Sequence, residues 1–332
     1  QVADDLREAV REHRFTWKER TMSVSVSIGV IAVTSTSPSA EELFSLADVS
    51  CYAAKDEGRN RIHLCEAGDV PEKHKEMQWV SRITHAVEEG RLELYFQPII
   101  PIGDNPDRCG HYELLLRMRD EAGKLVPPSD FIPAAERYNL MPVLDRWVVR
   151  EAMERLLCRD PADPYTLSVN LSGTSLSDAR FLADIVAAFE QLKPPAGAIC
   201  FEITETAAIG NLATVAHFMR ALKALGAQFS LDDFGSGLSS FTYLKTLPVD
   251  YLKIDGQFIK NVVGDRIDQS MVDAINKVGL AMGIQTIAER VESGEVLARL
   301  AEIGIGYAQG YHIAVPRPVA ELPAREALRQ SA

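Results

Sequence analysis

Apolar and polar positions divide this chain into two regimes. From Leu92 onward, short apolar runs alternate with helical patterns, the mark of repeated strand-helix units. Eight runs have strand length: Leu92–Phe96, His111–Leu116, Thr166–Val169, Ala198–Ile203, Gln228–Leu231, Tyr251–Ile254, Gln285–Ala288 and Ile303–Tyr307. Three- and four-residue apolar spacing predicts helices near Trp147–Leu157, Asp178–Leu192, Leu212–Leu225, Asp268–Met282 and Gly294–Ala301. Eight strands in ~250 residues is the size of a TIM-type (β/α)8 barrel, so the expected class is α/β. Only residues 99–108, rich in Pro and Gly, separate the first two strands. A parallel crossover needs about a dozen residues, so an antiparallel first strand is expected.

The earlier regime, residues 1–66, reads as helix, strand, helix, strand. Val2, Leu6 and Val10 have helical spacing, and residues 22–33 alternate apolar with small polar side chains. A second helix starts after Pro38 with Ser39 as cap and Glu42 three positions on, and it ends at Gly58. Arg61–Leu64 is a short strand. Residues 67–76 read as a polar linker or as the start of the helix carrying Trp79, Ile83 and Val87, residues 77–325 as the barrel domain and residues 326–332 as a tail.

Composition narrows the functional classes. The net charge of -12 argues against a binder of polymeric nucleic acid, which usually carries a basic face. No apolar run approaches the ~18 residues of a membrane span, and the first residues are unlike a secretory signal. The five cysteines are widely spaced, as in a reduced cytoplasmic protein.

Candidate chemistry collects where the strands end. Asn170 closes the third run, Glu202 lies in the fourth, and Asp232-Asp233 stop the fifth. The sixth carries Lys253 and Asp255, the seventh ends in Glu289 with Glu292 beyond, and the eighth leads to Gln309. Glu113 interrupts the apolar second run, where an unpaired charge would cost several kcal/mol. Taken alone, Asp232-Asp233 reads as a turn cap or as a ligand pair. Set together, Glu113, Glu202, Asp232, Asp233, Glu289 and Glu292 put six carboxylates at one barrel mouth against a single lysine, and they cannot all stay ionised without further cations. Oxygen ligands without His or Cys suit Mg²⁺ or Mn²⁺. The adjacent aspartates suit a two-metal site of the kind that attacks phosphodiesters.

The segment from about Arg82 to Pro318 resembles an EAL domain, the family of cyclic di-GMP phosphodiesterases. The residues that carry the resemblance run in order: Tyr95-Phe96-Gln97-Pro98-Ile99, Glu113 to Arg117, Val169 to Ser172, Glu202-Ile203-Thr204-Glu205, Asp232 to Gly237, Leu252 to Asp255, Ala288 to Glu292 and Gln309-Gly310-Tyr311. The resemblance implies that Glu113, Asn170, Glu202 and Asp232 hold one metal and that Asp232 and Asp233 hold a second. It implies that Lys253 polarises the attacking water. Glu289 would act on the metal-bound water or its ligands, with Glu292 and Gln309 in supporting positions, and Glu205 would steady the loop after Asp233. Gln97, Arg117 and Asp255 would meet the dinucleotide. The implied product is linear pGpG, and a homodimer through the barrel is expected. The eponymous Glu-Ala-Leu reads Glu113-Leu114-Leu115, and Gly256 stands where a basic residue is common.

Residues 1–66 resemble the carboxyl-terminal half of a GGDEF (diguanylate cyclase) domain. Ser27 to Val30, Ala47-Asp48, Tyr52 to Lys55 and Gly58 to Arg61 carry that resemblance. No Gly-Gly-Asp/Glu-Glu-Phe segment is present, so cyclase activity is not expected, and Lys55 and Arg59 read as solvated helix-end cations. Half a sheet makes a poor core, which points to a piece of a longer protein with upstream sensory domains. A cytoplasmic location, as the output end of a larger membrane-attached sensor, is the expectation. A receptor that binds cyclic di-GMP without cleaving it is the alternative function. A kinase reading of Asp233-Phe234-Gly235 lacks its companion loops. A Schiff-base role for Lys253 conflicts with the carboxylates that would keep it protonated.

Overall fold

The computed structural model describes residues 1–17, 20–33, 43–44, 47, 50–51, 54–55, 60–65, 70–103, 110–159, 164–235 and 241–322. Asp48, Tyr52, Ala53, Gly58, Arg59, Ser236, Gly237 and the tail from 326 to 332 lie outside the described residues. The chain divides into two compact units, Gln1–His85 and Ala86–Ala332.

In the first unit, helix Val2–Glu12 precedes an antiparallel pair, Arg14–Trp17 with Arg20–Ser23. A parallel pair follows, Ile28–Ile31 with Ile62–Cys65. The alternation over residues 22–33 suggested one strand, but residues 24–27 belong to no ladder among the described residues. Alternation marks extended backbone, whereas a ladder also needs a partner, and only residues 28–31 have one in 62–65. Of the segment read as linker or helix start, residues 70–76 open the helix Val70–Glu88.

The second unit is a curled mixed sheet of the α/β type. Its strands are β1 (Leu92–Pro98), β2 (His111–Arg119), β3 (Thr166–Leu171), β4 (Ile199–Thr204), β5 (Gln228–Phe234), β6 (Tyr251–Ile254), β7 (Gln285–Ala288) and β8 (Tyr307–Ala308). From β2 to β8 each neighbour pairs in parallel, whereas β1 lies antiparallel to β2. Ile100–Pro101, directly after β1, pairs with β8 and joins the two ends of the sheet. This closure is consistent with a TIM-like barrel.

Alternation along the strands sorts the side chains. Phe201 of β4 meets Phe189 of the covering helix Ala179–Leu192 at a ring distance of 6.2 Å, and Phe229 of β5 meets Phe218 of helix Leu212–Lys223 at 6.5 Å. The alternate positions Ser168, Glu202, Ser230 and Lys253 are therefore turned to the interior, fully buried or nearly so. Helix ends follow their chemistry. Asp178, Asp265 and Ser293 accept bonds from the first amides of three helices, and Gly283 and Gly304 close two of them in the left-handed region. Helix Pro128–Arg137 was not expected from spacing, and the eighth strand is shorter than expected because Ile303 completes helix Gly294–Ile303. Among the described residues no helix is long and apolar enough to cross a membrane.

Candidate active site

Lys253 is the buried centre of the site. It stands on β6 with 1% exposure, and four carboxylates approach its Nζ: Glu202 at 2.7 Å, Glu289 at 2.8 Å, and Glu113 and Asp232 at 3.3 Å. Burial opposes the ammonium charge, but Asp232, Glu113, Glu202 and Glu289 outweigh it and hold Lys253 well above its ordinary range. One cation cannot balance four anions, so protons stay on the cluster. Burial, with Glu113 and Asp232 adding to it, lifts Glu202 well above the carboxylate range. Burial lifts Glu289 to about 8. Glu113 goes the other way: burial would raise it, but Lys253 and bonds from Gln309 and Asn170 win and lower it.

An ammonium has three N–H donors, and here it has four carboxylates. The shortfall is visible. Asp232 Oδ1 and Glu202 Oε1 are buried with no hydrogen-bond partner among the described residues. Oxygens of Asp232, Asp233 and Glu289 lie within 4.8 Å of one another. Orphaned carboxylate oxygens in a converging, oxygen-only set fit a hard divalent cation.

A backbone irregularity makes that convergence possible. Leu231 pairs with Leu252 and Phe234 with Ile254, so Asp232 and Asp233 together oppose the single residue Lys253. Asp233 has φ 52°, in the left-handed region. This is a β-bulge, and it breaks the alternation that would send adjacent side chains to opposite faces. Burial first, then Asp232 and Asp255, raise the Asp233 carboxyl. Beyond the bulge, Glu205 accepts from Gly235 N at 2.9 Å and from the Tyr243 hydroxyl at 2.7 Å, with only 3% of its surface exposed.

Gln97, Glu113, Asp232, Asp233, Glu289, Glu292 and Gln309 line one cavity of about 470 Å³. Gln309 donates to Glu113 Oε2 at 2.6 Å and to Gln97 Oε1 at 3.1 Å, and Gln97 donates to Ala314 O at 2.9 Å. Gly310 must be glycine for steric reasons, because a Cβ there would lie 2.2 Å from Val291 N and O. Arg117 and Asn170 line an adjoining cavity of about 290 Å³, and Asn170 donates to Glu113 Oε1 at 2.7 Å. Asp255 does not line the cavity; its carboxylate caps helix Gly256–Lys260 by accepting from Gln257 N at 2.8 Å. A larger cavity, about 580 Å³, lies between β1 and helix Met141–Leu157, away from the carboxylates.

Sequence reasoning passed over two buried polar groups. His111, two residues before Glu113 on β2, lies 2.7 Å from Ser168 Oγ through its Nε2. Burial, then Lys253, push its pKa down to about 4. Its two-residue offset from Glu113 was the available signal. Asp145, inside helix Met141–Leu157, accepts from Ser172 N, Ser172 Oγ and Ser175 Oγ at 2.6 to 2.9 Å. It thus ties that helix to the turn after Asn170. Tyr243 was also missed and had no signal, since its partner Glu205 is 38 positions away.

Fold and site together define an α/β barrel-like domain with an acidic, oxygen-lined mouth around a buried lysine. The EAL domain family model matches residues 80–316, and the chain belongs to that family. It is 42% identical over 307 residues to the cyclic di-GMP phosphodiesterase PdeB of Shewanella oneidensis, covering 91% of this chain and 36% of that protein. It is 32% identical over 255 residues to PdeF of Escherichia coli, also named a cyclic di-GMP phosphodiesterase, covering 76% of this chain and 34% of that protein. The chain therefore spans about a third of these curated relatives. Among solved structures, the Pseudomonas aeruginosa FimX EAL domain bound to c-di-GMP superposes with a TM-score of 0.67 at 30% identity, covering 72% of this chain and 96% of that one. A c-di-GMP complex of the PaMucR phosphodiesterase gives 0.68 at 30% identity, covering 74% and 99%.

Proposed function

We propose that this chain is a cyclic di-GMP phosphodiesterase that hydrolyses one phosphodiester bond to give linear pGpG, with two Mg²⁺ or Mn²⁺ ions as cofactors. The observation that carries this reading is the bulge that turns Asp232 and Asp233 toward Glu289. The activity named for PdeB and PdeF and the ligand named in the FimX and PaMucR structures support the choice of substrate.

In this reading Glu113, Asn170, Glu202 and Asp232 would hold one ion, and Asp232 and Asp233 would hold the other. Once bound, the ions supply Lewis-acid activation of water and screening of phosphate charge. The chain's own side chains do the rest. Lys253 presents Nζ to the attacking water and, fixed by carboxylates, cannot swing away. Glu289, whose carboxylate lies 2.8 Å from that Nζ, is placed to hold or pass a proton beside the lysine. Gln309 holds Glu113 and Gln97 in register, and Glu292 stands exposed at the rim of the cavity. Gln97 and Arg117 are assigned to the dinucleotide, and Glu205 fixes the Gly235 amide just after Asp233.

Residues 1–66 are assigned to a partial GGDEF-like segment, with residues 77–325 as the EAL domain. The parallel pair in the first unit supports the former, as does 31% identity to the bifunctional diguanylate cyclase/phosphodiesterase MucR over 90% of this chain. No cyclase activity is expected of it. The chain is further assigned to the cytoplasm, as a homodimer through the barrel and as the output of a longer sensor protein.

The test is product analysis. Incubation of cyclic di-GMP with the purified chain and Mn²⁺ should yield pGpG on a chromatogram. Tight binding with no product would instead assign a receptor.

A further inference from the structure

The turn after β7 carries a long side chain where the backbone favours glycine. Arg290 has φ 51°, a left-handed conformation that long side chains seldom adopt. The turn is pinned just beyond it: Val291 N donates to Gln309 O at 2.9 Å, and His312 N donates to Val291 O at 3.0 Å. A strained residue held by its surroundings prompts the question of what its side chain does.

That side chain has a seat made for it. Its stem lies across Gly256, where an added Cβ would fall 2.4 Å from Arg290 Cδ and 2.7 Å from Cγ. The backbone at Gly256 is not left-handed, so the glycine supplies room rather than conformational freedom. Arg290 lines the carboxylate cavity, and its charge works to lower the Asp233 carboxyl. Its guanidinium has no hydrogen-bond or ion-pair partner among the described residues. Arg117 is engaged elsewhere: it donates to Leu116 O at 2.8 Å, lies over the Tyr95 ring at 5.3 Å and lines the adjoining cavity.

A mouth this acidic repels an anionic substrate, and an uncommitted guanidinium at its rim is the fitting counter-charge. Its planar fork matches two oxygens of a phosphodiester. Resting on the reading of this cavity as a cyclic di-GMP site, we propose that Arg290 is a substrate-positioning residue. It takes a phosphodiester oxygen on the Asp233 side of the mouth, and Gly256 sets where it stands.

The experiment is a double-mutant cycle of Arg290→Gly and Gly256→Ala. Binding of cyclic di-GMP is measured by calorimetry in EDTA, so that no turnover intrudes, and thermal melting is followed in parallel. Arg290→Gly relieves the left-handed strain, so its melting temperature should hold or rise while its Kd rises about tenfold. Arg290→Lys, which keeps the charge but loses the fork, should fall between. Gly256→Ala should weaken binding several-fold in the native background and less than twofold beside Arg290→Gly. Equal affinity of Arg290→Gly and the native chain would overturn the proposal and leave the phosphodiesterase reading standing. An equal loss from Gly256→Ala in both backgrounds would overturn the role given to Gly256. Absence of cyclic di-GMP binding by the native chain in EDTA, together with no pGpG formed in Mn²⁺, would overturn both this proposal and the reading beneath it.

Discussion

Asp232 and Asp233 are adjacent in sequence yet contribute oxygens to the same cluster. The bulge opposite Lys253 and the left-handed backbone of Asp233 bring this about. Asn tolerates that backbone far better than Ala does. Asp233→Asn should therefore melt close to the native chain, whereas Asp233→Ala should lose roughly 1 kcal/mol of stability to strain. Both should lower pGpG formation at least a hundredfold. Melting curves and initial rates on the same preparations check this, and a fully active Asp233→Asn would remove the residue from the ligand set.

Lys253 is the only cation on the buried carboxylate cluster among the described residues. Removing one partner from a buried ionic cluster strands the others. Lys253→Met should cost about 3 to 5 kcal/mol of unfolding free energy in the absence of metal, read by denaturant titration. A cost of under about 1 kcal/mol, the range of an exposed pair, would contradict the electrostatic account.

Asp145 and His111 oppose each other as pH changes. Burial raises Asp145 from 3.8 to about 6, so the folded state holds its proton more tightly. That contribution to stability is present below about pH 4 and is lost as pH rises toward 6. Burial lowers His111 from 6.5 to about 4, so the unfolded state holds its proton more tightly. Its contribution is lost as pH falls through the same window. Each shift amounts to ~3 kcal/mol. Relative to the native chain, Asp145→Asn should gain stability between pH 4 and 6, and His111→Gln should lose it over that rise. Unfolding free energies at several pH values decide, and parallel curves for native chain and variants would refute both assignments.

Glu205 holds the segment after the bulge through Gly235 N and the Tyr243 hydroxyl. Glu205→Ala releases both and should lower kcat by at least tenfold. Tyr243→Phe releases one and should cost about 1 kcal/mol of stability with a smaller loss of rate. An equal loss of rate in the two variants would mean that the Gly235 amide bond plays no part.

The sequence revealed more of this site than of the backbone that shapes it. Glu113, Glu202, Asp232 and Glu289 were readable because a carboxylate inside or at the end of an apolar run is conspicuous. The positions of the β4, β5 and β6 runs were readable because Phe, Ile and Leu recur at every second position of short runs that end in charge or turn residues. The bulge was not, because it depends on the register between β5 and β6 and leaves the composition of either strand unchanged. The Arg14–Ser23 pair was missed for a related reason: its ladder comes from pairing that periodicity does not encode. Asp255 looked like a site residue by its place at a strand end, yet its carboxylate caps the next helix. Asp145 was hidden in an amphipathic helix, where its three serine contacts arise only on folding.

The most direct test of the central claim is the rate of pGpG formation from cyclic di-GMP as Mn²⁺ is titrated, with the native chain and Asp232→Asn side by side. The native rate should saturate with Mn²⁺ and vanish in EDTA, while folded Asp232→Asn stays at least a hundredfold slower at every concentration. Undiminished turnover in EDTA, or a near-native rate in Asp232→Asn, would contradict it.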